Sequence, residues 1–198
     1  MRAWQPLGSP PPPAPPPGAI LILACGNDLR GDDALGACFV AEIEKAKQAL
    51  PPAWREAIST HWQLQWGPET ALLLANRQLV CLVDACPPPC TAKPNDVGTA
   101  ALPFVATRLE PPTGDLTPLL ASVGTHQVSP VALLASALLL GVPLPESIWQ
   151  IAIPGAHFAL GAPLSPLATC ALAATLDWFW PWIGAQTVCA ETPRSFFR

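Results

Sequence analysis

Two adjacent carboxylates, Asp32 and Asp33, a third at Asp84, and a histidine in Val123-Gly124-Thr125-His126-Gln127 are the residues whose types and placement could do chemistry. One acid of the Asp32-Asp33 pair, Asp84 and one imidazole nitrogen form an incomplete site for a divalent metal, and nickel, zinc and iron all suit such a set. Either Asp33 or Asp84 could also serve as a general base. Each residue has a plainer reading beside this one. Asp32 suits an N-cap accepting a backbone N–H, and Asp33 suits a first-turn acid complementing the helix dipole. Asp84, followed by Pro87, could form an Asx-type turn, although an acid at the end of a buried strand is costly without a partner. His126 alone reads as a helix cap or a satisfied polar residue.

The elements around these residues decide whether they can meet. Ala19 to Cys25 is a continuous apolar run ending in Gly26-Asn27, the pattern of a strand buried on both faces. A helix is expected from near Asp33 to about Leu50, with Leu35, Phe39, Val40 and Ile43 at helical spacing and Pro51-Pro52 as its stop. A second strand is expected over Ala57 to Trp66, a short helix from Pro68 to near Asn76, and a third strand over Leu79 to Val83, closed by Asp84-Ala85. A proline-dense loop spans Cys86 to Gly98, and a fourth strand is expected over Leu102 to Leu109. A helix from about His126 to Leu140, a fifth strand over Ile148 to Ile153, a loop through Gly155 and Gly161 and a last helix from Pro166 to Trp180 complete the chain.

This alternation predicts a three-layer α/β/α sandwich around a five-stranded, mostly parallel twisted sheet. If the first and third strands are neighbours where the strand order reverses, Asp33 and Asp84 emerge at one sheet edge. A histidine at a helix N-terminus would stay neutral and able to bind metal.

At 198 residues, with 51% hydrophobic and 12% charged side chains, the chain can bury one substantial core. Its most apolar windows do not read as membrane spans. Val131 to Leu144 is too short and is cut by Pro143, and Pro166 to Ile183 contains Asp177 and Pro181. No basic start leads into an apolar core and a small-residue cleavage site, so a cytoplasmic protein is expected. A net charge of -4 argues against a nucleic-acid partner. Seven cysteines, with Cys25, Cys81 and Cys170 in apolar runs, suggest reduced and mostly buried thiols. Residues 9 to 17 are almost all proline and suit an extended tail, which divides the chain into a tail over 1–17, one domain over 18–185 and a C-terminal tail over 186–198.

The Gly-Asn-Asp-Leu-Arg-Gly-Asp-Asp-Ala-Leu-Gly stretch from Gly26, the strand closed by Asp84-Ala85, the Thr125-His126-Gln127 step and Gly161-Ala162-Pro163-Leu164-Ser165-Pro166 resemble, in order, the hydrogenase maturation proteases. The resemblance runs from about Ala19 to Leu176. It implies an endopeptidase that removes the C-terminal extension of a nickel-iron hydrogenase large-subunit precursor. It also implies Asp33, Asp84 and His126 as the metal ligands, nickel presented by the substrate, and a mixed sheet whose fourth strand runs against the others. The chain departs from the family's usual pattern at Ala34, where glycine is common after the paired acids, and at Gly124, where serine often precedes the histidine. Ala34 implies a position that is already helical.

The remaining chemistry-bearing residues read as structural. No Gly-x-Ser-x-Gly elbow or Cys–His pairing is present. Cys81, Cys86 and Cys90 fit no standard zinc spacing. His61 has no acidic neighbour in sequence. His157, beyond Pro154-Gly155, is more ambiguous and could line a substrate cleft. Trp178-Phe179-Trp180-Pro181-Trp182 suits the end of a packing helix, or an interface if exposed. Two other functions share these residues: a non-catalytic chaperone that binds a nickel centre, and a metal-dependent hydrolase of small molecules.

Overall fold

Ile20–Cys25 forms β1, and all six of its residues are buried, as a strand without a polar side chain requires when both sheet faces are covered. The computed structural model describes residues 13–88, 96–97, 103–120 and 128–189. In it β1 is followed by β2 (Ile58–Gln63), β3 (Leu79–Cys86), β4 (Asp96–Val97), β5 (Val105–Arg108) and β6 (Ser147–Pro154). Their order across the sheet is β2-β1-β3-β6-β5-β4. The pairs β1–β2, β1–β3 and β3–β6 are parallel, whereas β5 runs antiparallel to both β6 and β4. The expected mostly parallel sheet of five strands is therefore present with its fourth long strand, β5, reversed, and the two-residue β4 extends that edge.

Successive side chains of a strand point to opposite faces, and two cores follow. Ile20, Ile22 and Ala24 of β1 join Cys81, Val83 and Ile151 in one cluster. Over it lie α1 (Leu35–Lys47), α2 (Pro52–Ala57) and α5 (Pro166–Cys189), which contribute Leu35, Phe39, Ile43, Trp54, Phe179 and Trp182. Leu21, Leu23 and Cys25 face the other way, against the 3-10 helix Pro68–Leu74 and α4 (Pro130–Leu139). A single turn, α3 (Thr117–Leu120), approaches α4. Ala14 also packs on the first cluster. The Trp-rich segment is a packing helix: Phe179 meets Phe39 edge-on at 5.3 Å and Trp178 stacks on Trp182 at 4.8 Å.

Several boundaries differ from the sequence reading. The stretch read as one helix from Asp33 is a 3-10 turn over Gly31–Ala34 followed by α1, so Ala34 is helical as expected. The second strand starts one residue later and ends at Gln63, because Pro52 opens α2 and buries Trp54 before the chain turns extended at Ile58. The third strand continues through Asp84 to Cys86, since Asp84, Ala85 and Cys86 keep pairing with β6. The helix expected to begin at His126 begins at Pro130, where Ser129 Oγ accepts the Ala132 N–H at 3.2 Å. Val128 and Ser129 are not helical, so α4 does not begin at His126, which itself lies outside the described residues. The last helix passes through Pro181 to Cys189. Cys25 and Cys81 are buried and outside any disulfide, but Cys170 is exposed and Cys86 is disulfide-bonded, against the expectation of reduced and mostly buried thiols. Cys90 lies outside the described residues. Among the described residues no helix is long and apolar enough to cross a membrane.

Helix α1 sits unusually close to the end of β1. A Cβ on Gly36 would lie 2.2 Å from the Cys25 carbonyl oxygen, so only glycine permits this approach. Gly36→Ala should lower unfolding stability by about 3 kcal/mol through overpacking. Leu72→Ala, at a position 59% exposed, should stay within about 0.5 kcal/mol of the parent chain. Chemical denaturation of both variants checks this, and a neutral Gly36→Ala would show that α1 is free to shift away from β1.

Candidate functional site

The chain leaves β1 for β2 on one side and later returns to β3 on the other, so the carboxyl ends of β1 and β3 flank a topological switch point. Open α/β sheets hold ligands in the crevice at such a point. Ala24 of β1 pairs with Val83 of β3, and the next β3 residue, Asp84, pairs with Ala152 of β6. Asp84 therefore stands level with the end of β1, where it is half-buried. It lies inside the strand and does not form a closing turn.

Asp33 reaches the same edge from the 3-10 turn, whose Cα atoms come within 8 Å of β3. Its side chain is half-buried, and its Oδ2 accepts the Asn27 backbone N–H at 3.0 Å. The chain can turn this tightly because of Gly26, which has φ +129° and where a Cβ would lie 2.0 Å from the Asp33 carbonyl oxygen. Gly26 is held in turn: Trp62 Nε1 donates to its carbonyl at 3.0 Å, and its N–H reaches the Gln63 carbonyl at 3.2 Å. The two predicted acids thus share one sheet edge. His126 lies outside the described residues, and among those residues no group of three His, Cys, Asp or Glu is placed to hold a metal.

Asp32 does something the sequence reading missed. It is not an N-cap of its own helix. Its side chain is fully buried and accepts four hydrogen bonds from the loop between β6 and α5. Ala156 N–H and His157 N–H donate to Oδ2 at 2.6 and 2.9 Å, Ser165 N–H to Oδ1 at 2.6 Å, and the Ser165 hydroxyl to Oδ2 at 2.7 Å. Ser165 Oγ also accepts the Ala168 N–H at 3.1 Å, capping α5. The one sequence signal for this was Ser165-Pro166 itself, a cap followed by a first-turn proline.

Further bonds hold the two loops together. Asp32 N–H donates to the His157 carbonyl at 2.8 Å, and Gly161 N–H to the Leu29 carbonyl at 2.7 Å. Arg30 Nε donates to the Phe158 carbonyl at 3.3 Å. The approach needs glycine on both sides, since a Cβ on Gly155 would lie 2.5 Å from Asp32 Cβ, and one on Gly31, at φ +51°, would lie 2.4 Å from the His157 carbonyl oxygen. His157 is exposed, so its side chain stands in solvent beside the 3-10 turn while its backbone is pinned. His61 is exposed too and pairs with Gln63 Oε1 at 3.2 Å.

No protein-family profile matches the chain, and no curated protein matches it in sequence. Solved structures do match. The hydrogenase maturating endopeptidase HybD of E. coli superposes with a TM-score of 0.56 at 21% identity, over 84% of this chain and 93% of that one. A solution structure of an endopeptidase from Escherichia coli gives 0.55 at 21% identity, over 81% and 88%. A hydrogenase 2 maturation peptidase from a Thaumarchaeota archaeon gives 0.52 at 20% identity, over 83% and 97%. The chain has the fold of these endopeptidases.

The Asp32 carboxyl is subject to opposing effects. Burial pushes its pKa up, but the N–H of Ser165, the N–H of His157, the Ser165 hydroxyl and the Ala156 N–H together outweigh burial and hold it below the ordinary value of 3.8. A carboxyl with a depressed folded pKa contributes stability that is present above the unfolded pKa and lost as pH falls through the folded one. Asp32→Asn should therefore cost about 2–4 kcal/mol at neutral pH. The gap in Tm between the two proteins should hold down to about pH 5 and shrink below about pH 4. A gap that stays constant to pH 2 would show that the charge of Asp32 contributes nothing.

Proposed function

We propose that this chain is a hydrogenase maturation endopeptidase, which removes the C-terminal extension of a nickel-iron hydrogenase large-subunit precursor once nickel has been inserted. The observation that carries this reading is the placement of Asp33 and Asp84 together at the switch point, in a fold that solved hydrogenase maturation endopeptidases share. The motif resemblance adds His126 as the third ligand. Two carboxylates and an imidazole suit nickel, and a set of three leaves coordination positions for a metal that arrives already held by the substrate.

In this reading nickel belongs to the substrate, and the chain's own residues position the precursor around it. The Asn27 N–H fixes the orientation of Asp33, and strand pairing with Ala152 fixes Asp84. Binding the metal centre to these residues draws the adjoining peptide bond into the crevice, where Asp33 or Asp84 can accept a proton from attacking water. Two of the described thiols, Cys38 and Cys81, fit a mechanism without a cysteine nucleophile. Burial pushes the pKa of Cys38 up, with Glu42 and Asp28 adding to it, and burial also pushes that of Cys81 up. Neither environment favours a thiolate.

Purified full-length chain mixed with nickel-loaded precursor should yield a large subunit shortened at its C-terminus, read by mass spectrometry. Precursor without nickel should remain uncut. Asp33→Asn, Asp84→Asn and His126→Ala should each fold and lower cleavage by about 100-fold or more. Thiol alkylation under native conditions should leave the rate unchanged. Equal cutting of nickel-loaded and nickel-free precursor would reject metal recognition. Binding of the loaded precursor without any cleavage would point to a nickel-centre chaperone instead.

A further inference from the structure

We infer that Asp32 is a positioning residue for the proposed site: its buried carboxylate clamps the loop Gly155–Ser165 onto the 3-10 turn and thereby holds Asp33 in place. Four donors converge on this side chain. Only an ionised carboxylate offers enough lone pairs and no donor of its own. An asparagine would turn an NH2 group toward backbone N–H groups that can only donate. The second clamp runs in the opposite sense, from Asp32 N–H to the His157 carbonyl, so Asp32 and His157 exchange bonds through both backbone and side chain.

Asp33 follows directly in the same four-residue turn. It has little freedom there, since its carbonyl oxygen lies against Gly26 and its carboxylate takes the Asn27 N–H. A shift of the turn at Asp32 must move Asp33 as well. The adjacent acids therefore divide the work. Asp32 is saturated and fully buried, and Asp33 stays half-buried within reach of a ligand. The catalytic part of this inference rests on the proposed peptidase activity, but the geometric part does not.

The test uses full-length Asp32→Asn, Ser165→Ala, Ser165→Thr and Asp33→Asn, with two readouts. The first is amide hydrogen exchange by residue. In folded Asp32→Asn, with β1 and β3 protected as in the parent chain, exchange should rise about 10-fold or more at Ala156, His157 and Asn27. Ser165→Ala should raise it about 3-fold, and Ser165→Thr, which keeps the hydroxyl, should restore it. Asp33→Asn should alter Asn27 while leaving Ala156 and His157 protected. The second readout is cleavage of nickel-loaded precursor, where Asp32→Asn should lower kcat about 10- to 100-fold with KM within about twofold, as misplacement of a reacting group does.

Unchanged Asn27 exchange in folded Asp32→Asn would overturn the inference, as would a kcat loss no larger than the loss of folded protein. If Asp32→Asn does not fold, Ser165→Ala decides: faster exchange at Ala156 with none at Asn27 would overturn it. If the parent chain cleaves nothing, the peptidase reading fails by itself and Asn27 exchange alone decides the positioning role.

Discussion

A carboxylate taken wholly out of water without a compensating partner is too costly to keep charged. At Asp32 the chain meets that cost with donors, and the nearest of them in sequence is Ala156, 124 residues away. Much of the architecture near the site follows from bringing them there. The exit of β6, the start of α5 and the turn after β1 must converge on a volume the size of one side chain. Gly31 and Gly155 are present because no Cβ fits between the two loops, and Ser165 serves both Asp32 and the first turn of α5.

The sheet supplies the frame in which this lock can work. β1 is buried along its whole length and is paired on both sides, so its carboxyl end is firmly held. The first loop inherits that rigidity through Gly26, which Trp62 and Gln63 tie to β2, and α1 inherits it through the close approach of Gly36 to Cys25. Loops that carry function are ordinarily the mobile part of a fold. Here the loop bearing Asp33 is fastened on three sides, to β2, to α1 and to the β6–α5 loop.

Elements whose identity depends on their own residues were legible in the sequence. The apolar runs at Ile20, Leu79 and Ile148 gave β1, β3 and β6, and the helical spacing of Leu35, Phe39 and Ile43 gave α1. The sheet edge shared by Asp33 and Asp84 was expected on the condition that β1 and β3 are neighbours, which their pairing meets. Features set by distant partners were not legible. β5 is reversed because of its pairing with β6, which no local pattern encodes, and only the family resemblance implied it. α4 begins at Pro130 and not at His126 because Ser129 caps it and Pro130 suits its first position. Cys170 lies in an apolar run but falls on the outer face of α5. In sequence Asp32 reads as a local cap, because capping is what an aspartate before a helix ordinarily does, and its actual partners are more than a hundred residues away.

That misreading shows why two adjacent acids can stand in this motif without redundancy. Asp32 and Asp33 follow one another, yet their carboxylates take different partners, the β6–α5 loop for the first and the Asn27 N–H for the second. The charge of Asp32 is stabilised by four donors that do not depend on any ligand. Asp33 can then accept its single N–H from Asn27 and remain half-buried at the crevice. In the proposed reaction this matters at the moment the substrate's metal arrives. A ligand whose direction is already fixed loses little entropy on binding, and the fixing is done by a residue that itself never touches the metal.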